Sequence, residues 1–91
     1  MIGPRKLAWH RTSFRNPNPK KDHGAELAYE VQLWIGNEFH HFKIVPYWLD
    51  NKTRDWAIYL NGEFWEARMK LPMAKRAVEY LVRDKEAGYF S

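Results

Sequence analysis

Few residues in this chain have the types and spacing for acid–base, nucleophilic or metal chemistry. The only adjacent histidines are His40 and His41, and neighbours on a strand point to opposite faces, which disfavours a shared metal site. The sequence has no cysteine, so thiolate zinc sites and thiol catalysis are excluded. It contains neither a G-x-S-x-G nucleophile elbow nor a glycine-rich phosphate loop. We therefore expect a protein that is not an enzyme and needs no metal or cofactor.

The carboxylates mostly have a basic residue at a spacing that favours an ion pair. Surface pairs of this kind are worth a few tenths of a kcal/mol and indicate structure rather than catalysis. The predicted pairs are Glu30 with Lys43, Asp55 with Arg68 and Glu79 with Arg83.

Positive charge is concentrated in the N-terminal quarter of the chain. The net charge is +4, and residues 1–21 hold six basic residues and no acidic one, so the remainder is slightly acidic. Such asymmetry favours a basic arm for a polyanion, although a solvated leader that aids solubility has the same composition. The six residues are Arg5, Lys6, Arg11, Arg15, Lys20 and Lys21.

Length and hydropathy predict one domain with no membrane contact. The 91 residues are enough for a single core, which depends on burying aromatic side chains. No run of about 20 apolar residues is present, and the N-terminal residues lack the apolar middle of a signal peptide. We expect a cytoplasmic protein, of a bacterial host if a phage encodes it. Residues 1–24 would form the basic arm, first strand and proline-rich loop, and residues 25–91 the sheet and helix.

The clearest structural pattern is a hairpin at residues 55–69. Residues 55–61 alternate between apolar and polar side chains and end in Asn61-Gly62. This dipeptide is the strongest short hairpin signal, because a type I′ turn needs positive φ at both central residues. The expected pairs are Tyr59 with Phe64, Ile58 with Trp65, Ala57 with Glu66, Trp56 with Ala67 and Asp55 with Arg68.

A helix is predicted after this hairpin. Pro72 suits a first helical turn, and Gly88 is a natural stop. Between them, apolar residues recur at helical spacing and form one stripe. The stripe consists of Ala74, Ala77, Val78 and Leu81.

Two earlier strands complete the predicted sheet. Residues 25–35 alternate cleanly, Gly36-Asn37 is a turn signal, and residues 40–48 return as a strand. Residues 7–14 are a weaker candidate for a first strand. We predict an α+β fold, with a single antiparallel sheet of four to five strands and one C-terminal helix packed on one face.

The sheet face opposite the helix is expected to carry aromatic rings, although a face that meets water is usually polar. Exposed rings can stack bases at about 1–3 kcal/mol each. Alternatively, residues 7–14 fold over this face, or a second chain buries it, because large apolar patches mark contacts. The predicted face carries Trp34, Phe39, Val45, Tyr47, Tyr59 and Phe64 beside Glu30, Gln32, His41, Lys43, Glu66 and Arg68.

From Tyr29 onward, the segments Y-E-V, G-N-E-F-H-H-F-K-I, N-G and A-K-R-A-V-E-Y-L follow one another. This half of the chain resembles the strand-to-helix part of a double-stranded-RNA-binding domain. The resemblance implies phosphate contacts from the start of the last helix, where Lys75 matches the basic pattern of the family. The first helix of that family is replaced here by a proline-rich loop.

A second, looser set of motifs spans most of the chain and comprises Leu7, Trp9, the strand at 25–31, Trp56, Asn61-Gly62, Ala74, Lys75, Ala77 and Glu79. Together they are similar to small phage and prophage accessory proteins that have a sheet and a C-terminal helix. This resemblance implies a protein of a virus or mobile element that binds nucleic acid or a host protein.

Taken together, these patterns predict a small nucleic-acid-binding protein, with its basic arm on phosphates and its aromatic face on bases of DNA or RNA. The alternative is a phage-type interaction module that inhibits or redirects a host protein through the same face. A homodimer is also open. The predicted contact residues are Arg5, Lys6, Arg11, Arg15, Lys20, Lys21, Trp34, Lys43, Tyr47, Lys52, Arg54, Tyr59, Phe64, Arg68, Lys70, Lys75 and Arg76.

Overall fold

Each strand of the sheet pairs with the next strand along the chain. A computed structural model describes residues 4–17, 24–50 and 52–88, and within them the five-stranded antiparallel sheet has the order β1-β2-β3-β4-β5. This confirms the predicted α+β fold. None of the described helical residues form a span long and apolar enough for a membrane. The elements are β1 (His10–Phe14), β2 (Glu26–Ile35), β3 (Glu38–Trp48), β4 (Arg54–Leu60), β5 (Glu63–Arg68) and α1 (Leu71–Glu86).

Two tight turns fix the register of the central hairpins. Asn61 has a φ of 51° and Gly62 a φ of 85°, as the predicted type I′ turn requires. Asn61 also ties this turn to β3, because its backbone N–H donates to the His41 carbonyl at 2.8 Å and its Oδ1 accepts the His41 N–H at 2.8 Å. The β2–β3 register is also as predicted, with Glu30 opposite Lys43 and Trp34 opposite Phe39.

The core lies between α1 and one face of the sheet. Ala74, Val78 and Val82 of α1 are buried. They belong to one cluster with the sheet residues Phe42 and Ile44, which are fully buried. Burying a side chain of that size contributes about 1.5–3 kcal/mol, so this stripe fixes the helix on the sheet.

The ends of α1 follow the sequence signals. Pro72 lies in the first turn, where a missing N–H costs no hydrogen bond. The first helical bond runs from the Ala74 N–H to the Lys70 carbonyl at 3.0 Å. Gly88 ends the helix with a φ of 82°, and its N–H donates to the Lys85 carbonyl at 3.1 Å.

The predicted β4–β5 register is correct for Tyr59 opposite Phe64 and wrong for the other four predicted pairs. A bulge lies between Ile58 and Tyr59 on one strand and Phe64 and Glu66 on the other, so Trp65 is the extra residue. Two successive residues then oppose one. Phe64 lies on the face away from α1 and Trp65 packs against the core, as the regular register also requires, whereas the residues after Trp65 change faces. The partners change accordingly, with Ile58 opposite Glu66, Ala57 opposite Ala67 and Trp56 opposite Arg68.

The bulge also moves Glu66 and Arg68, which were predicted on the face opposite the helix, to the helix side of the sheet. Arg68 now lies opposite Trp56 and borders a hollow shared with Met73 and Tyr80 of the helix. Its guanidinium pairs with Glu66 on the same strand. The expected Asp55–Arg68 pair is therefore wrong, because the extra residue puts the two side chains on opposite faces.

The first strand is shorter than predicted. Residues 7–9 leave the sheet edge, and Leu7 is buried beneath α1. Oε2 of Glu79 accepts the Leu7 backbone N–H at 3.1 Å, which replaces a strand hydrogen bond. The predicted Glu79–Arg83 pair is accordingly wrong, because Glu79 faces inward and Arg83 pairs with Asp84 at 3.0 Å.

Candidate nucleic-acid interface

The outer face is defined here as the side of the sheet away from α1. Its centre is a row of small residues, and Ala28, Val45 and Ala57 are buried although no helix covers them. Phe14 of β1 and Tyr59 of β4 pack against this row. Because β1 lies beside β2 as an edge strand, residues 10–14 extend this face and do not fold over it.

One aromatic pair lies beside a lysine on the outer face. The register puts Lys43 opposite Tyr59 and Tyr59 opposite Phe64. The rings of Tyr59 and Phe64 meet edge to face with centroids 5.9 Å apart, and Phe64 is 59% exposed. Strand pairing therefore brings a cation and two rings together from residues distant in sequence.

A second aromatic pair lies at the end of the β2–β3 hairpin. Trp34 and Phe39 meet edge to face at 5.4 Å. Trp34 is 66% exposed and Phe39 45%. A two-residue turn holds both rings, so their positions are set by the backbone. Tyr47, the remaining aromatic residue among the predicted contacts of this face, is also exposed.

A hollow of about 230 Å³ lies on the outer face, with Phe14 of β1 and Tyr59 of β4 in its lining. His41 lies on its rim, and the ring Nε2 of His41 is 3.1 Å from the Glu30 carboxylate. Glu30 thus contacts His41, although its strand partner is Lys43. His40 points the other way and is buried, as expected for strand neighbours. The hollow is lined by Phe14, His41, Lys43, Val45, Tyr59 and Gly62.

Three of the predicted phosphate-binding arginines contact other parts of the protein. Arg5 pairs with Glu86 at 3.1 Å. The Arg54 guanidinium lies over the rings of Trp48 and Trp56, 5.4 and 4.6 Å from their centroids. Arg68 pairs with Glu66, as described above. Each of the three also lies within 4.0 Å of a carboxylate, which is Glu26 for Arg54, so each would have to release it to bind a phosphate.

The other predicted cations are spread over several surfaces. Lys6, Lys75 and Arg76 line a groove on the helix side of the sheet. Lys43 alone lies at the centre of the outer face. Lys20 and Lys21 fall outside the described residues. The remaining basic residues of the prediction are exposed at the edges of the sheet or in connections, and they are Arg11, Arg15, Lys52 and Lys70.

Two contributors were missed from the sequence. Phe14 was not assigned to a face, because the regular strand begins only at His10 and Phe14 lies on the opposite face from Leu7 and Trp9, the two clear apolar positions of this segment. Its cross-strand partner, Glu26, gives no apolar signal. His41 was placed on the correct face but not in the site, because its contact with Glu30 depends on strand pairing.

Scans of the chain against protein-family models, curated proteins and solved structures find no match. The two resemblances noted from the sequence therefore stay predictions, and the candidate interface is argued from geometry alone.

Proposed function

We propose that the chain binds nucleic acid with unpaired bases through the outer face. The observation that carries this proposal is the row in which Lys43, Tyr59 and Phe64 occupy neighbouring positions on adjacent strands, open to solvent at Phe64. Proteins that bind single strands combine such ring surfaces with cations that follow the backbone, and the rings accept any base.

The second exposed pair extends this surface. Trp34 and Phe39 offer rings at the far end of β2 and β3. A nucleic-acid strand whose bases stack on both ring pairs would pass Lys43, whose ammonium would contact a phosphate. We expect fewer phosphate contacts than the six basic residues of the N-terminal arm could make, because Arg5 pairs with Glu86. Each phosphate contact adds about −0.7 to the log–log salt slope on a single strand, so the slope should be shallower than six contacts would give.

Fluorescence anisotropy with labelled oligo-dT and oligo-U tests this proposal over a tenfold range of KCl. Trp34→Ala and Phe64→Ala should each weaken binding by roughly 5- to 100-fold, the loss of one stacked base. The matched control is Tyr80→Ala, which removes an exposed ring from α1 on the opposite side. Absence of salt-dependent binding, or an equal loss in the control, would overturn the proposal.

A protein partner is the second candidate, and the charge balance of the outer face favours it. Glu30 lies beside Lys43 and contacts His41, so the centre of the face is not strongly basic. Large exposed rings mark protein contacts as well as stacking surfaces. Sedimentation that shows a dimer, weakened by Phe64→Ala without any effect of salt on it, would favour this candidate over the first.

A further inference from the structure

A second concave surface lies on the helix side, between residues 6–9 and the first turns of α1. Its volume is about 530 Å³, within the range of about 300–1,000 Å³ typical of small-ligand sites. The sheet separates it from the outer face, so a ligand here does not touch Trp34 or Phe64. The groove is lined by Lys6, Leu7, Trp9, Leu71, Pro72, Lys75, Arg76 and Glu79.

The basic residues of this groove differ from those that form ion pairs elsewhere. Among the described residues, no carboxylate lies within 4.0 Å of the charged nitrogens of Lys6, Lys75 or Arg76. The Lys75 ammonium instead lies 4.3 Å over the ring of Tyr29, and Arg76 contacts the Tyr80 hydroxyl at 3.3 Å. Lysine and arginine each carry several N–H donors, so Lys75 and Arg76 keep donors available to an anion beside these contacts.

The one carboxylate of the groove is directed to other partners. Oε2 of Glu79 accepts the Leu7 N–H at 3.1 Å and the Trp9 indole N–H at 3.5 Å. Glu79 is 5% exposed, so it holds the N-terminal wall of the groove and contributes little of the surface. The open part of the groove is therefore positive, with Trp9, Leu71 and Pro72 as apolar walls.

We propose that this groove binds a phosphate-bearing ring compound of the nucleotide class. The phosphates would lie among Lys6, Lys75 and Arg76, and the ring would pack on Trp9, Leu71 and Pro72. Charge complementarity favours an anion of more than one negative charge, and the apolar walls favour a ring beside it. This site does not rest on the proposed function of the outer face, because neither its cations nor its walls belong to that face.

An NMR titration of the whole chain with ATP, without added metal, tests this proposal. ATP should shift the Trp9 indole N–H resonance and the backbone amides of Leu71 and residues 73–76. Tripolyphosphate should act on the same amides more weakly, and adenosine alone should have little effect. Lys6→Glu and Lys75→Glu should each weaken ATP binding by about tenfold or more, since each removes a charged hydrogen-bond donor.

The control is Lys85→Glu, which makes the same change of charge on α1 about 15 Å further along the helix axis. Lys75→Gln serves if the glutamate variant does not fold. The proposal is overturned if ATP shifts only outer-face resonances, if Lys85→Glu weakens binding as much as Lys75→Glu, or if no resonance moves. Because the spectrum resolves individual residues, it shows separately whether ATP binds in the groove and whether it contacts the outer face.

Discussion

The backbone N–H of Leu7 donates a hydrogen bond of 3.1 Å to Oε2 of Glu79, a residue 72 positions later in the sequence. Leu7 is 9% exposed and Glu79 5%. A buried donor and a buried carboxylate have each lost their water, so leaving either without a partner is costly. This contact therefore holds the N-terminal segment against α1.

Replacing Glu79 by alanine should lower the free energy of unfolding by about 1–3 kcal/mol, because Leu7 and Trp9 lose their shared acceptor. Glu79→Gln should cost less, since its amide oxygen still accepts. Urea unfolding followed by tryptophan fluorescence measures both. The control is Glu86→Ala, which removes the exposed pair with Arg5 and should cost less than about 1 kcal/mol. Equal losses in Glu79→Ala and Glu86→Ala would contradict the assignment.

Two adjacent aromatic residues of β5 lie on opposite faces of the sheet and should differ in their contribution to stability. Trp65→Ala should lower the free energy of unfolding by about 2–4 kcal/mol, because its ring packs on the core. Phe64→Ala should cost at most about 1 kcal/mol, the value of its contact with Tyr59. Thermal unfolding of the two variants measures the difference. A larger loss for Phe64→Ala than for Trp65→Ala would contradict the assignment of Trp65 to the core.

The turn at Asn61-Gly62 allows backbone strain to be measured separately from packing. Nothing lies within 4 Å of a Cβ added at Gly62, whose φ is 85°. Gly62→Ala should therefore lose about 1–2 kcal/mol of unfolding free energy through backbone strain alone. Asn61→Gly keeps the turn geometry and removes the acceptor of the His41 N–H, which should cost about 1 kcal/mol. Chemical denaturation measures both, and a neutral Gly62→Ala would contradict the positive φ.

Asp50 makes a predicted contribution to the pH dependence of stability. The backbone N–H groups of Lys52 and Thr53 donate to its Oδ1 at 2.7 and 2.6 Å and hold the pKa of this carboxyl below its ordinary value. Because the folded pKa lies below the unfolded one, the stabilisation is complete above the unfolded value. It is lost as pH falls through the folded value.

Asp50→Asn keeps an acceptor that does not titrate, so the stability of this variant should fall less steeply on acidification than that of the native chain. Urea unfolding from neutral pH to below the ordinary Asp range measures the two slopes. A carboxyl titration by NMR gives the folded pKa directly. Identical slopes, together with an ordinary Asp50 pKa, would show that the two N–H contacts do not form.

Arg54 is expected to contribute to folding and not to ligand binding. Its guanidinium lies 4.6 Å from the Trp56 ring centroid and 3.9 Å from the Glu26 carboxylate. Arg54→Ala should lower the free energy of unfolding by about 1 kcal/mol, since a stacked cation is lost. Oligonucleotide affinity of this variant should stay within about twofold of the native value. A large loss of affinity without a loss of stability would indicate that Arg54 contacts the oligonucleotide.

The parts of the fold that follow from short-range signals were predictable. Asn61-Gly62 defines a hairpin by the φ values that it accepts, and the alternation of residues 25–35 gives the face of each side chain. The start and end of α1 follow from Pro72 and Gly88. Each of these signals depends on residues that are neighbours along the chain.

Features that depend on distant partners were not predictable in the same way. The bulge at Trp65 changes the partners of the residues that follow it, and its position depends on how β5 pairs with β4. Glu79 has a suitable partner four residues later, yet it faces Leu7 from the other end of the sequence. Arg54 contacts Trp48 and Trp56, which lie on paired strands. This contact likewise depends on the pairing of β3 with β4.

The sequential order of the strands has a consequence for how this chain assembles. Each pairing between neighbouring strands closes only a short loop, and short loops cost little entropy. The contact between Leu7 and Glu79 instead closes a loop between residues 72 positions apart. We therefore expect this contact to form late in folding and to open early in unfolding. Among the hydrogen-bonded backbone amides, that of Leu7 should then exchange faster than those of β3 and β4, with the N-terminal segment detaching before the sheet unfolds.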